Sequence, residues 1–164
     1  MSLWSEKDRM KRRQRQRGHA MLELAVSAAV MVSCLAGTVQ FGYTFYIYNQ
    51  LVTAVGNGGR YAAMRTYRAA SPGDIEKGKA AIRNMVVYGD ARPERNTPPQ
   101  VVNLRPEQIQ VDWVTDASGG QPSAVNVSIT DYTVDAVFGM VRFAGRPAVE
   151  YPFVGRFAPS ESEP

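Results

Sequence analysis

The chain is poor in the side chains that do chemistry. It has one histidine, His19, and one cysteine, Cys34, both in its N-terminal third. A Ser-His-Asp triad, a histidine metal site, a cysteine nucleophile and a zinc cluster are therefore excluded from everything beyond residue 48. One cysteine also excludes an intrachain disulfide. A glycine-rich phosphate loop is missing, because Gly56-Asn57-Gly58-Gly59 follows an apolar run rather than a strand. Asp112, Asp116, Asp131 and Asp135 read as solvated strand ends and turns in preference to a carboxylate pair or a calcium site. These absences lead us to expect no enzyme, no cofactor, no metal and no small-molecule substrate.

Two further absences concern charge. Outside residues 1–18 there is no excess of positive charge. The sequence has 19 Lys+Arg and 15 Asp+Glu, and the first eighteen residues hold seven of the basic groups but only Glu6 and Asp8 of the acidic ones. The rest is close to neutral. A basic tail can bind nucleic acid, but this one has no interleaved aromatics after Trp4 and stops where an apolar run begins, so no nucleic-acid partner is expected. The second absence is of any charge at all from Leu24 to Tyr48. A helix of that length rises roughly 37 Å, enough to cross an apolar core of about 30 Å.

What fills that run is small and aromatic. Ala25, Ser27, Ala28, Ala29, Ser33, Ala36, Gly37, Thr38 and Gly42 allow close helix approach in lipid. Tyr43, Phe45, Tyr46 and Tyr48 mark the far end as an interfacial belt. The basic tail then predicts a cytoplasmic N-terminus and an extracytoplasmic C-terminal domain. A buried helix of a soluble protein rarely runs so long without charge. The core is also too long for a cleavable secretory signal, and Glu23 stands at its start.

Glu23 is the informative residue. A carboxylate costs about 2.5–3.5 kcal/mol at the bilayer centre and less near the surface, so an acid at the edge of a span is a functional candidate. The first turns of a helix, where the dipole is positive, offset part of that cost, and a nearby amine would offset more.

The stretch Arg17-Gly18-His19-Ala20-Met21-Leu22-Glu23 resembles the processing site of type IV prepilins. With Leu24-Ala25, Gln40-Phe41-Gly42-Tyr43, Asn49-Gln50-Leu51 and Gly59-Arg60-Tyr61-Ala62-Ala63, the chain resembles the TadE-like pseudopilins of the tight adherence (Flp, type IVc pilus) system. The likeness is best over residues 17–65, with a weaker echo in Val125-Asn126-Val127-Ser128-Ile129 and Phe153 to Phe157. It departs from the family in having no proline in the span and Gln40 where an acid is common. The resemblance implies a minor pilin or pseudopilin cut by a prepilin peptidase between Gly18 and His19. It implies that Glu23 then aligns subunits through a neighbour's N-terminal amine. The implied partners are the peptidase, other pilins or pseudopilins, the inner-membrane assembly platform and membrane lipid. The alternative is an unprocessed membrane-anchored periplasmic binding or sensor domain.

The expected architecture is α+β and pilin-like: a long N-terminal transmembrane helix, a second covering helix and a small antiparallel sheet. The divisions expected are a basic leader at 1–18, the transmembrane and extended helix at 19–70, an extracytoplasmic domain at 71–158 and a tail at 159–164. Gly56, Gly58 and Gly59 predict a kink or hinge in the first helix, or a loop that ends it. Ser71-Pro72-Gly73-Asp74 predicts a capped start for the second helix and Tyr88-Gly89-Asp90 its end. Ile75, Ile82, Met85 and Val86 should face a sheet, with Lys79 and Arg83 outward. Residues 89–100 should be a loop. Alternation predicts strands through Ile109, Val111 and Trp113 and through Val125, Val127 and Ile129, joined at Ser118-Gly119-Gly120. A third strand is expected over Tyr151, Phe153 and Phe157, and a short helix or turn over Val134 to Met140.

Overall fold

In the computed structural model, residues 6–65, 67–68, 72–115, 122–136 and 139–158 are described. The Ser71 cap, the Ser118-Gly119-Gly120 connection and the 159–164 tail lie outside them. The chain divides into two compact units, Met1–Gly42 and Tyr43–Pro164. Helix α1, Glu6–Met64, contributes to both.

The described part of the first unit, from Glu6, is helix. From Gly18 onward it is exposed or at most half-buried on every face, with Met21, Leu22, Leu24, Met31, Leu35 and Phe41 among its open apolar residues. A helix that is apolar all round belongs in lipid rather than water. Its hydroxyls are satisfied internally: Ser33 donates to the Ala29 carbonyl and Thr38 to the Cys34 carbonyl, each one turn back. This is the one helix among the described residues long and apolar enough to cross a membrane.

In the second unit α1 changes character. Ile47, Leu51, Ala54, Val55, Ala62 and Ala63 are buried, a stripe at three-, four- and seven-residue steps that faces protein. Helix α2, Pro72–Tyr88, lies against it, with Pro72 at the first turn and Gly89 (φ 75°) just past the end. Its Ile82, Val86 and Val87 are fully buried.

Both helices share one face of a three-stranded antiparallel sheet, order β2-β3-β6, formed by Ile109–Thr115, Pro122–Ile129 and Ala148–Pro152. Val111 pairs with Val127 and Val127 with Val149; Trp113 pairs with Val125 and Val125 with Tyr151. Those residues face the helices, while Gln110, Asp112 and Glu150 face water, the one-sided burial usual for an antiparallel sheet. The loop after α2 folds back, and Val101 and Leu104 enter the core.

The α+β, pilin-like plan holds, and four local expectations need correction. First, α1 is not ended by a loop at its glycines; it runs on to Met64. Those glycines serve close approach. A Cβ on Gly58 would overlap Val86 Cγ2, and one on Gly59 would stand 2.7 Å from Tyr151 Cδ2. Second, the described part of the Val134 to Met140 block is strand and not helix, with residues 137–138 outside the described residues. Strands β4, Asp131–Ala136, and β5, Gly139–Ala144, form a hairpin. Its inner face carries Tyr132 and Val134, both buried, and its outer face Asp131, Thr133 and Asp135. That alternation of period two outweighs the block's overall apolarity.

Third, the expected last strand is two. Strand β6 ends at Pro152, which cannot donate to the ladder, and β7, Phe157–Ala158, pairs in parallel with β1, Tyr67–Arg68. Between them Val154 donates its amide to the Ala63 carbonyl at 3.0 Å, and Phe153 is buried in edge-to-face contact with Trp113. Fourth, Lys79 and Arg83 are not simply outward. Both are partly covered, and Arg83 Nε donates to the Ile109 carbonyl at 3.2 Å, tying α2 to the first residue of β2.

Tyr132 anchors the hairpin. Its hydroxyl donates to the Val102 carbonyl, and burial, with the nearby Tyr43 phenol adding to it, raises its pKa above the usual 10.0. A raised folded-state pKa leaves this stability intact below the unfolded value and removes it as pH climbs through the folded one.

Two outcomes follow for unfolding of the full chain in detergent. Gly58→Ala should destabilise by about 1–3 kcal/mol through overpacking, whereas Gly42→Ala, where an added Cβ meets nothing, should be neutral or slightly stabilising. Tyr132→Phe should lower stability by about 1–3 kcal/mol at pH 7, because the Val102 carbonyl loses its donor. It should also flatten the decline in stability above pH 10 relative to the parent chain.

Candidate functional site

A membrane-edge site has to be built on the helix itself, since the helix is what the bilayer meets. Gly18, His19 and Glu23 all lie on α1 and all are exposed. His19 and Glu23 are four residues apart, on one face and one turn from each other. Gly18 is five residues from Glu23, about 7.5 Å along the axis.

Neither Gly18 nor Glu23 serves the folding of this chain. A Cβ on Gly18 would meet nothing within 4 Å, in contrast to Gly58 and Gly59. Glycine costs about 1 kcal/mol relative to alanine inside a helix, so at Gly18 the chain carries that cost without a packing return. Glu23 has no hydrogen-bond or ion-pair partner among the described residues. An exposed carboxylate among Leu22, Leu24 and Met21 is one whose partner, if it has one, comes from another molecule.

The rest of the described surface offers no rival centre. Among the described residues no three His, Cys, Asp or Glu side chains gather where they would hold a metal ion. Asp131 is engaged by Arg142 in a two-point ion pair, 2.7 Å and 3.1 Å, and Gln110 donates to Asp112. Asp116 lies outside the described residues. Two open grooves flank α1. One, of about 300 Å³, runs between Tyr46, Asn49, Thr53 and Gln100; the other, of about 430 Å³, lies between Tyr48, Val52, Arg146 and Val149. Neither encloses converging polar groups of the kind that fix a small ligand.

The sequence singled out the residues of the membrane edge but missed the use of Gly58 and Gly59. The signal was present: three glycines in four positions, on a helix that otherwise keeps its apolar spacing, mark a crossing place as readily as a break.

No curated protein and no solved structure matches the chain. Residues 18–60 match the family model described as TadE-like protein; they begin at Gly18, contain Glu23, and end beside the glycines that seat α2 and β6. The TadE-like likeness is confined to that N-terminal segment of the 164-residue chain.

Proposed function

We propose that this chain is a minor pilin or pseudopilin that assists assembly of a type IVc adhesive pilus, acting by association with other subunits and not by catalysis. The observation that carries the reading is the pair Gly18 and Glu23: exposed at the head of an apolar helix, inside the TadE-like segment, and unused by the fold.

On this reading a membrane-embedded prepilin peptidase hydrolyses the bond between Gly18 and His19. The carbonyl of Gly18 leaves with the leader, and His19 gains a free amine. Glycine at that place suits the cut because it loosens the local helix and leaves no side chain in the peptidase's way. The amine, positive at neutral pH, then meets the Glu23 carboxylate of a neighbouring subunit. In a medium of low dielectric such a charge-assisted hydrogen bond is worth more than in water. Lateral packing of the small-residue helix supplies the remaining contact.

The basic leader keeps residues 1–18 on the cytoplasmic side, so the second unit lies outside the inner membrane of a bacterial cell. There it meets the other pilus subunits and the assembly platform. The uneven charge supports this orientation, since all the positive excess precedes the apolar run.

Co-expression with a prepilin peptidase should shorten the chain by residues 1–18 and leave His19 at the new N-terminus, as read by mass spectrometry. Gly18→Ala should remain full length while still inserting. A mature N-terminus elsewhere, or none, would leave the unprocessed membrane-anchored domain as the better account.

Glu23→Leu should insert at least as well as the parent, because a buried-charge cost is removed, and should still be cut. It should lose co-purification with other pilus components and with it surface piliation. Glu23→Gln, which keeps a hydrogen-bonding group without the charge, should fall between the two. A Glu23→Leu chain that is processed, abundant and fully competent in both assays makes the carboxylate incidental.

A further inference from the structure

The open face of the three-stranded sheet is not polar throughout. Its paired residues form cross-strand rows. Asp112, Asn126 and Glu150 make one row, and Val114, Ala124 and Pro152 make the next. Val114 and Pro152 are both exposed, with the small Ala124 as the floor between them. Past the end of β6, Val154 is more open still, at 71%. Its amide reaches the Ala63 carbonyl, which puts it one residue from Met64, itself 66% exposed. An apolar strip thus crosses the second unit from β2 to the end of α1. Single exposed apolar side chains are ordinary, but a connected strip with charged rims marks a protein contact.

The two rims have opposite sign. On the sheet side stand Asp112 and Glu150, exposed, each two residues along its strand from Val114 or Pro152. On the other side stand Arg156, just beyond Val154, and Arg60, one helical turn before Met64, both exposed. The stretches 59–68 and 153–158 contain no acid. Among the described residues Arg60, Glu150 and Arg156 have no ion-pair partner. The order is most compact in one stretch of chain. Glu150, Pro152, Val154 and Arg156 are exposed at alternate positions, while Tyr151 turns inward to Gly59 and Phe153 to Trp113. Along that stretch the open surface runs acid, apolar, apolar, base. Reversed in direction, it is its own complement.

We propose that this strip is the contact surface of a homodimer. A second copy of the chain lies across it about a two-fold axis near Phe153. Pro152 and Val154 of one protomer then meet Val154 and Pro152 of its partner, and each Glu150 stands opposite an Arg156. A two-fold interface uses the same patch on both protomers, and a patch that reads acid, apolar, base satisfies that condition by itself. A partner with a purely acidic or purely basic face would match only one rim. Exposed ion pairs add little affinity. Their part here is to set direction, since the parallel arrangement would place Glu150 on Glu150 and Arg156 on Arg156. The strip and its rims are fewer than the about 20–30 residues a side of a standard interface, so the dimer is weak and concentration-dependent. The inference uses neither Gly18 nor Glu23 and goes beyond the assembly reading.

The test uses the full chain, expressed without a prepilin peptidase and purified in detergent, in a Cys34→Ser background that removes the lone native thiol. Donor and acceptor fluorophores are attached to separate preparations at Glu94→Cys, an exposed position in the loop after α2. Energy transfer is read on mixing, as a function of protein concentration. The parent chain should show transfer that grows with concentration. Glu150→Arg and Arg156→Glu should each weaken association at least about tenfold, because each sets like charges face to face. An equimolar mixture of the two variants should recover it, since every arginine then faces a glutamate, and recovery also shows that both variants fold. The double variant Glu150→Arg/Arg156→Glu restores both pairs within one sequence, and it reports the same pairing where a single variant fails to fold. No transfer by the parent chain at any concentration would overturn the inference. Transfer unchanged in both single variants would place the contact elsewhere, such as the apolar run of α1, and would overturn it too. So would loss in the single variants with no recovery in the mixture or the double variant. A parent chain that stays single until another pilus subunit is added would give the strip to that subunit instead. Cleavage at Gly18 and pairing through Glu23 play no part in these readouts, so the two readings fail separately.

Discussion

A single helix here has to satisfy two solvents. Over residues 18–42 every face of α1 is open and mostly apolar, which water penalises and lipid does not. From Ile47 onward one stripe of the same helix is buried under protein. The core of the second unit depends on that change of partner. Without Leu51, Val55 and Ala62 at 0% exposure, α2 and the β2-β3-β6 sheet would have no common surface to close on. The closest crossing falls at Gly58 and Gly59, where the absence of a Cβ lets Val86 approach from one side and Tyr151 from another. The propensity cost of two adjacent glycines, about 1 kcal/mol each, is offset by packing that larger residues would forbid.

Much of this was legible in the sequence because it depends on period and on the position of charge. The long uncharged run that forms an open apolar helix needed no tertiary information. Helix α2 was legible from Pro72 and from the spacing of Ile82 and Val86. The alternation of Ile109, Val111 and Trp113 against Val125, Val127 and Ile129 gave a pairing that the register bears out, with Trp113 opposite Val125 and Ile109 opposite Ile129.

Two of the errors concern what approaches a segment from elsewhere in the chain, and one a polar phase hidden within the segment itself. Local propensity reads Gly58 and Gly59 as helix breakers, since the penalty is local and the benefit comes from Val86 and Tyr151. The block from Val134 to Met140 looked too apolar to alternate, because Ala136 and Val137 hide the polar phase set by Asp131, Thr133 and Asp135. Arg83 looked solvent-facing because sequence cannot show that the Ile109 carbonyl would be within its reach. At the candidate site the position is reversed. Gly18 and Glu23 stand out in the sequence because the fold makes no use of them, and a residue without an internal role leaves its pattern undisturbed.

The short parallel pairing of β1 with β7 has a bearing on how the domain is wired. It brings Phe157 and Ala158 beside Tyr67 and Arg68, just past the end of α1 at Met64. The polypeptide therefore enters and leaves the sheet-bearing part of the second unit at neighbouring points. From Tyr43 to Met64 the helix rises on the order of 30 Å. Ala158 therefore lies at the end of the unit remote from Tyr43. A reporter, an affinity handle or a further module joined there would begin about that far along the helix from Tyr43, and would leave the order of strands in the sheet unchanged.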